Sequence, residues 1–172
     1  AEVSTPFDRR ADETTRRALA WLGSKRDPNR PFLLLVHYFD PHTPYQPPPE
    51  FADRFTDPAG SNQATDELLD EIRRYDAEIA FTDQQLGKLL AGFEAASENS
   101  RTLVAVVGDH GEGLGDHGAM GHGVHIYEPF VRVPWILRLP DQRAAGSTIA
   151  GPVSLVDVLP TLTELAGIAE RP

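Results

Sequence analysis

An apolar, β-branched run, Leu103 to Val107, breaks abruptly into Gly108-Asp109-His110-Gly111, and this junction constrains the fold more than any other feature of the chain. A run of that kind reads as a strand inside a sheet. A glycine-rich stretch of Asp and His at its end is the arrangement of a metal or anion site at the C-terminal edge of an α/β sheet. Asp109, His110, Glu112, Asp116, His117, His122 and His125 follow within a few turns of chain, interleaved with glycine, and include four of the six histidines.

A second run, PFLLLVHYF from Pro31 to Phe39, is apolar at nearly every position, as suits a strand buried on both faces. It ends in Asp40-Pro41-His42-Thr43-Pro44-Tyr45 and then Pro47-Pro48-Pro49, where prolines fix an extended loop and cannot continue a ladder. Two parallel neighbouring strands, each releasing an Asp and a His at its C-terminal end, would aim them at one crevice.

The remaining pattern is that of a layered α/β domain. Residues 1–10 read as an extended, Pro-broken lead-in, and a helix is predicted over Ala11–Lys25, capped near Asp12 or Thr14, with Ala18, Leu19, Trp21 and Leu22 on one stripe. A long helix is predicted from about Ala64 to Ala96, capped by Thr65 with Asp66 and Glu67 in its first turn. Leu68, Ile72, Tyr75, Ile79, Thr82, Leu86, Leu89 and Phe93 share one of its faces. Strands follow over Thr102–Val107 and Arg132–Leu139, with a further short strand over Ser147–Val153. A last helix covers Val158–Ala166, with Ser154 or Asp157 as cap, Pro160 in its first turn and Gly167 as its stop. This order predicts a single α/β domain over 1–172, with a mixed, mostly parallel sheet and helices packed on its faces.

Composition narrows the function classes. The 172 residues are 40% hydrophobic and 24% charged, enough for one domain with its own core. Net charge is 16 − 26 = −10, without a basic patch, which makes nucleic acid and anionic membrane surfaces poor partners. No apolar run approaches ~18 residues, and the N-terminus has no charged-then-apolar pattern, so neither a membrane span nor a signal peptide is expected. The absence of cysteine removes disulfides, thiolate nucleophiles and Cys-ligated zinc, and leaves compartment and oligomeric state open. An anionic substrate would then need a local positive centre, for which a bound cation is the obvious candidate.

Adjacent Asp109 and His110 offer one hard carboxylate oxygen and one imidazole nitrogen from a single loop, and Gly108 and Gly111 permit the tight backbone that turns both inward. A polar turn after a strand has the same composition. Asp116-His117 repeats the pair as further ligands, as support, or as a loop-stabilising hydrogen bond. His122 and His42 each read as a donor to an anionic substrate or as a solvated loop histidine. His37, inside an apolar run, reads as a core histidine, and His125 has no assigned role.

Five blocks in order, PFLLLVHYFDPHTPY, YDAEIAFTDQQLGKLL, VVGDHGEGLGDHG, GHGVHIYEPFVRVPWILRLP and GPVSLVDVLPTLTELAGI, resemble the central and later part of the sulfatase family, within the alkaline phosphatase-like superfamily. The resemblance runs from about Ala11 to Ile168. It implies a sulfatase-like α/β fold, truncated here, hydrolysis of sulfate esters by a formylglycine nucleophile, and one divalent cation, usually Ca2+, with Mg2+, Mn2+ or Zn2+ as alternatives. By motif, Asp109 and His110 match the metal-binding pair. His42, in Asp-Pro-His-x-Pro, matches a histidine that contacts the sulfate group or assists the leaving group. His122 stands where many members have a sulfate-binding lysine, which exchanges a fixed cation for a group that titrates near neutral pH.

The family's Cys/Ser-x-Pro-x-Arg nucleophile motif and Asp-Asp metal pair are absent. In the nearest match, Ser4-Thr5-Pro6-Phe7-Asp8-Arg9, the arginine falls one position late. The resemblance therefore implies a partial catalytic domain, without the nucleophile segment and the C-terminal subdomain, inactive alone and with strand edges left exposed or re-paired. Three other readings keep the same residues: part of a phosphodiester or phosphonate monoester hydrolase of the superfamily, a non-catalytic metal-binding module that retains the fold, and a two-metal site drawing on His117, His122 or His125.

Overall fold

The computed structural model describes residues 9–57, 64–96, 98 and 101–168. These form two compact units, one of Ala1–Ser97 with Leu114–Gly121, the other of Glu98–Gly113 with His122–Pro172.

Helices dominate the first unit. α1 spans Ala11–Ser24, α2 Pro49–Ala52 and α3 Asp66–Ala95. The first backbone donor of α1 is satisfied from a distance: Ala11 N–H donates to Asp40 Oδ2 at 2.6 Å. The cap expected from Asp12 or Thr14 is thus supplied by the acid at the head of the Asp-Pro-His loop, while Asp12 and Glu13 sit in the first turn, where the helix dipole favours them. α3 begins as its sequence predicts, with the Thr65 side chain accepting from Leu68 N–H at 3.3 Å.

The buried face of α3 shares Leu89 and Phe93 with the predicted stripe and otherwise differs from it. Leu69, Ala77, Glu78, Phe81, Gln85, Leu89 and Phe93 face inward, whereas Ile79 is 43% exposed. Most of them recur every four residues, and two are polar, so a hydropathy pattern passes over them. Gln85 leaves its backbone carbonyl to accept from the Thr15 hydroxyl at 3.3 Å, and that hydroxyl meets Tyr38 Oη at 2.8 Å. Around this face Ala11, Phe51, Ala77 and Phe81 form one apolar cluster, and Ala18, Leu89 and Phe93 a second.

Residues 31–39 lie across these clusters in extended form, without a ladder partner among the described residues. Phe32, Leu34, Val36 and Tyr38 pack inward. Leu33 and Leu35 point away and are 89% and 88% exposed. Burial on both faces is therefore not what this run shows, and His37, on the outward side of the alternation, is exposed rather than a core histidine. A two-residue ribbon of β2 (Gly113–Leu114) and β3 (Met120–Gly121) closes the hairpin, with Gly115 N–H donating to Ala119 O at 3.0 Å. Gly115 has φ of +94°, and a Cβ there would stand 2.9 Å from Leu68 Cδ2.

In the second unit, α4 spans Glu128–Val131, β4 Trp135–Arg138 and α5 Val158–Leu165. β1, Val104–Val107, pairs antiparallel with β4 in the register Val104↔Arg138 to Val107↔Trp135. Both ladders among the described residues are two-stranded, the parallel neighbours predicted for the apolar runs are not among them, and 147–153 forms none. Ser154 and Asp157 make a reciprocal capping box ahead of α5. Phe130 is buried, while Val124, Ile126, Ile149, Val156 and Leu159 are largely exposed.

Phe51 is 1% exposed, edge-on to Phe81 at 5.5 Å, with the Arg54 guanidinium 4.0 Å from its ring centre. Phe51→Ala is expected to cost about 3–5 kcal/mol in urea denaturation, and a loss under about 1 kcal/mol would show that this cluster does not stabilise the unit.

Candidate functional site

β1 delivers Gly108 against the turn before β4, its N–H donating to Pro134 O at 3.0 Å, and the chain then turns outward at Asp109 and His110. His110 N–H donates to Asp109 Oδ1 at 3.0 Å. The His110 ring lies 2.9 Å through Nδ1 from Gly111 O, an acceptor only, so Nδ1 carries the proton and Nε2 presents the lone pair in the neutral ring. Nε2 stands 3.9 Å from Asp109 Oδ1, and the Asp109 side chain is 80% exposed. Ligand bonds of ~2.3–2.6 Å allow two donors at that spacing to share one cation. The tautomer, the spacing and the access fit a metal as part of a ligand set. No group of three His, Asp or Glu that could hold an ion occurs among the described residues, so the pair does not close a site.

Gly111 is fixed by its neighbours. Its N–H donates to Phe130 O at 2.9 Å, and a Cβ would lie 2.0 Å from Pro129 O. Only glycine lets the backbone pass there.

His122 joins this loop. Its ring stacks on that of His110, with centroids 4.1 Å apart. Its Nδ1 lies 3.3 Å from both carboxylate oxygens of Glu112, whose side chain is only 5% exposed. A carboxylate so buried requires donors or a cation, and His122 supplies one. The contact makes Nδ1 the donor toward Glu112 and gives Nε2 the outward role. Glu112 is a residue the sequence reading left without a task. Its signal was a carboxylate two residues beyond the Asp-His pair, indistinguishable by composition from a loop charge.

The other substrate-side candidate, His42, lies in the first unit. The Asp40–Pro41 and Thr43–Pro44 peptides that flank it are both cis. Its ring is 4.4 Å from that of Phe39, and Nδ1 donates to Thr43 O at 2.7 Å, which assigns the remaining chemistry to Nε2. Beneath the loop sits Glu78 of α3, accepting from the N–H groups of His42, at 3.2 Å, and Gln46, at 2.5 Å. Burial pushes Glu78 up to about 7, reinforced by Asp40 and opposed by the two amides and Arg10. Burial also raises Asp40, against the pull of the Ala11 amide.

Asp116 and His117 form an exposed 3-10 turn, where Asp116 Oδ2 accepts from Leu114 N–H at 3.4 Å. For Asp116 this contact is of the loop-stabilising kind. His125 is exposed and stacks beside Tyr127 at 5.6 Å, with Phe130 at 5.8 Å. Of the segment Ser4–Arg9, all but Arg9 lies outside the described residues.

A family model described as Sulfatase matches residues 5–168. The uncharacterized sulfatase YidJ of Escherichia coli K12 is 27% identical over 94% of this chain and 37% of its own length. Mouse steryl-sulfatase is 34% identical over 86% of this chain and 23% of its own. The crystal structure of yidJ from Bacteroides fragilis superposes with a TM-score of 0.79 at 26% identity, over 92% of this chain and 37% of that one. The chain thus spans well under half the length of the relatives it matches. No helix among the described residues is long and apolar enough to cross a membrane.

Gly111→Ala is expected to drive the loop off the Pro129 carbonyl. Chemical shifts of His110 and His122 should move together, and stability should fall by about 2 kcal/mol or more. A variant with wild-type shifts and melting temperature would contradict the close approach.

Proposed function

Because this chain belongs to the sulfatase family, we propose that it carries part of the active site of a metal-dependent sulfuric ester hydrolase. The observation that carries this reading is the Asp109-His110 pair, with His122 stacked on its imidazole and held by buried Glu112. Asp109 Oδ1 and His110 Nε2 would hold a divalent cation. Calcium is the first candidate for the carboxylate, and imidazole keeps Mg2+, Mn2+ and Zn2+ in the comparison. When bound, the cation supplies positive charge that polarises a sulfate oxygen. His122, as an imidazolium with Nδ1–H on Glu112 and Nε2–H outward, would take the place of a fixed cation against the sulfate oxygens. His42, its ring oriented by Phe39 and its Nδ1–H held by the Thr43 carbonyl, would in its imidazolium form stabilise charge on the ester or protonate the departing oxygen through Nε2.

No residue present fits a formylglycine nucleophile. The sequence has no cysteine, and Ser4 does not stand in the Ser-x-Pro-x-Arg spacing. No step is assigned to that group, and the isolated chain is expected to be inactive. The chain is read as part of one α/β domain with a mixed, mostly parallel sheet. The family match over residues 5–168 supports this. The substrate is a sulfate ester.

Calorimetry with Ca2+, Mg2+, Mn2+ and Zn2+, repeated on Asp109→Ala, tests the metal assignment. Removal of the carboxylate should weaken binding by at least about tenfold, and binding that survives would place the ion elsewhere. On aryl sulfate the purified chain should release no sulfate, and turnover would overturn its expected inactivity. In the full-length protein, rates on matched sulfate and phosphate esters decide the chemistry. Preference for the phosphodiester or phosphonate would overturn the sulfatase reading.

A further inference from the structure

We propose that Glu78 is a positioning residue, a carboxylate on α3 that clamps the Asp-Pro-His-x-Pro loop from below and thereby fixes where His42 is presented. The functional weight of the clamp rests on the reading of His42 as a substrate-side group; the clamp itself rests on geometry.

Glu78 lies mid-way along α3, is 3% exposed, and faces the loop instead of solvent. A carboxylate is costly at such a position unless donors meet it. The donors are two backbone amides of one loop, His42 N–H on Oε2 and Gln46 N–H on Oε1. The choice of amides is narrow. Prolines at 41, 44, 47, 48 and 49 have no N–H, so between Asp40 and Glu50 only His42, Thr43, Tyr45 and Gln46 have one to offer. Glu78 takes the first and the last of these four, and so spans the segment that carries His42.

Other contacts of the same loop converge on the same helices. Tyr45 meets Tyr75, three residues before Glu78 on α3, edge-on at 5.4 Å. Asp40 caps α1 through Ala11 N–H, and its carbonyl accepts from the Thr82 hydroxyl at 3.4 Å. The loop is thus tied at its start, at His42 and at its end. Glu78 touches the His42 backbone through a group that changes charge.

The charged groups that act on Glu78 are Asp40, from the loop, and Arg10, at the start of α1, whose guanidinium lies 5.2 Å from the Phe81 ring centre. Burial and Asp40 favour the neutral acid, while the two amides and Arg10 favour the carboxylate, with the balance near pH 7. The grip is charge-assisted above that pH and weaker below it.

Amide NMR on the intact chain tests this. In the wild type, the His42 and Gln46 amide resonances are expected to move with a common midpoint of about 7. Both should keep that transition in His42→Ala, which separates it from imidazole titration. In Glu78→Gln, which keeps one acceptor oxygen and loses the charge, the transition should vanish at both positions. Hydrogen exchange there should accelerate by about tenfold. An unchanged transition in Glu78→Gln, or the absence of a common transition at the two amides in wild type, overturns the clamp. If Glu78→Gln fails to fold, the midpoint in wild type and His42→Ala decides. Inorganic sulfate added to wild type tests the other premise separately: absence of shifts at the His42 ring would overturn its substrate-side reading while the amide transition stood.

Discussion

A buried carboxylate that accepts from the backbone of a proline-rich loop is the interaction on which the first unit depends. The Asp40–Gln46 segment has too few amides to hold itself by a ladder, so side-chain acids from the loop and from α3 do the tethering. Asp40 closes the start of α1, and Glu78 closes the loop onto α3. Burial and the neighbouring Asp40 both raise Glu78, which sets a sign for pH. The folded chain keeps a proton on Glu78 above the ordinary 4.5 that the unfolded chain has lost. The unfolded state therefore binds fewer protons in that window, and this group's contribution to stability falls as pH rises from about 4.5 toward 7, then levels.

The same device recurs in the second unit. Glu112 is buried and meets His122 through Nδ1, as Glu78 is buried and meets the His42 backbone. Each histidine read as substrate-facing has Nδ1 engaged, by Glu112 for His122 and by the Thr43 carbonyl for His42. Nε2 then carries the chemistry in both, a choice of tautomer made by local contacts. The Asp109-His110 pair follows the same rule, with Gly111 O engaging Nδ1.

Much of this was legible in the chain. The helices appear close to their predicted bounds, Thr65 caps α3 as its position suggests, and Ser154 caps the turn before α5. The Gly108–Gly111 turn follows β1 as the break in apolar residues requires. What could not be read is the set of long-range polar contacts. Periodicity put Ile79 on the inner face of α3, because hydropathy cannot know that Glu78 meets two loop amides. The cap of α1 comes from 29 residues away, beyond any local signal. The run 31–39 is apolar on both sides, so composition gives burial on both; only its inward side, Phe32, Leu34, Val36 and Tyr38, packs on the described clusters. His37 followed the outward side for that reason. Glu112 and Glu78 were invisible as functional residues because a glutamate's importance here lies in burial, which a sequence does not state.

A charge-bearing group under the His42 loop, and not the rigidity of its prolines alone, holds that histidine in place. Site-resolved 13C NMR of the Glu78 side-chain carboxyl, titrated across neutral pH, measures this most directly. A midpoint of about 7 is predicted for a carboxyl buried beside Asp40 and gripped by two amides. A midpoint at the ordinary 4.5 with no matching transition at the His42 and Gln46 amides would mean that the loop is held without Glu78.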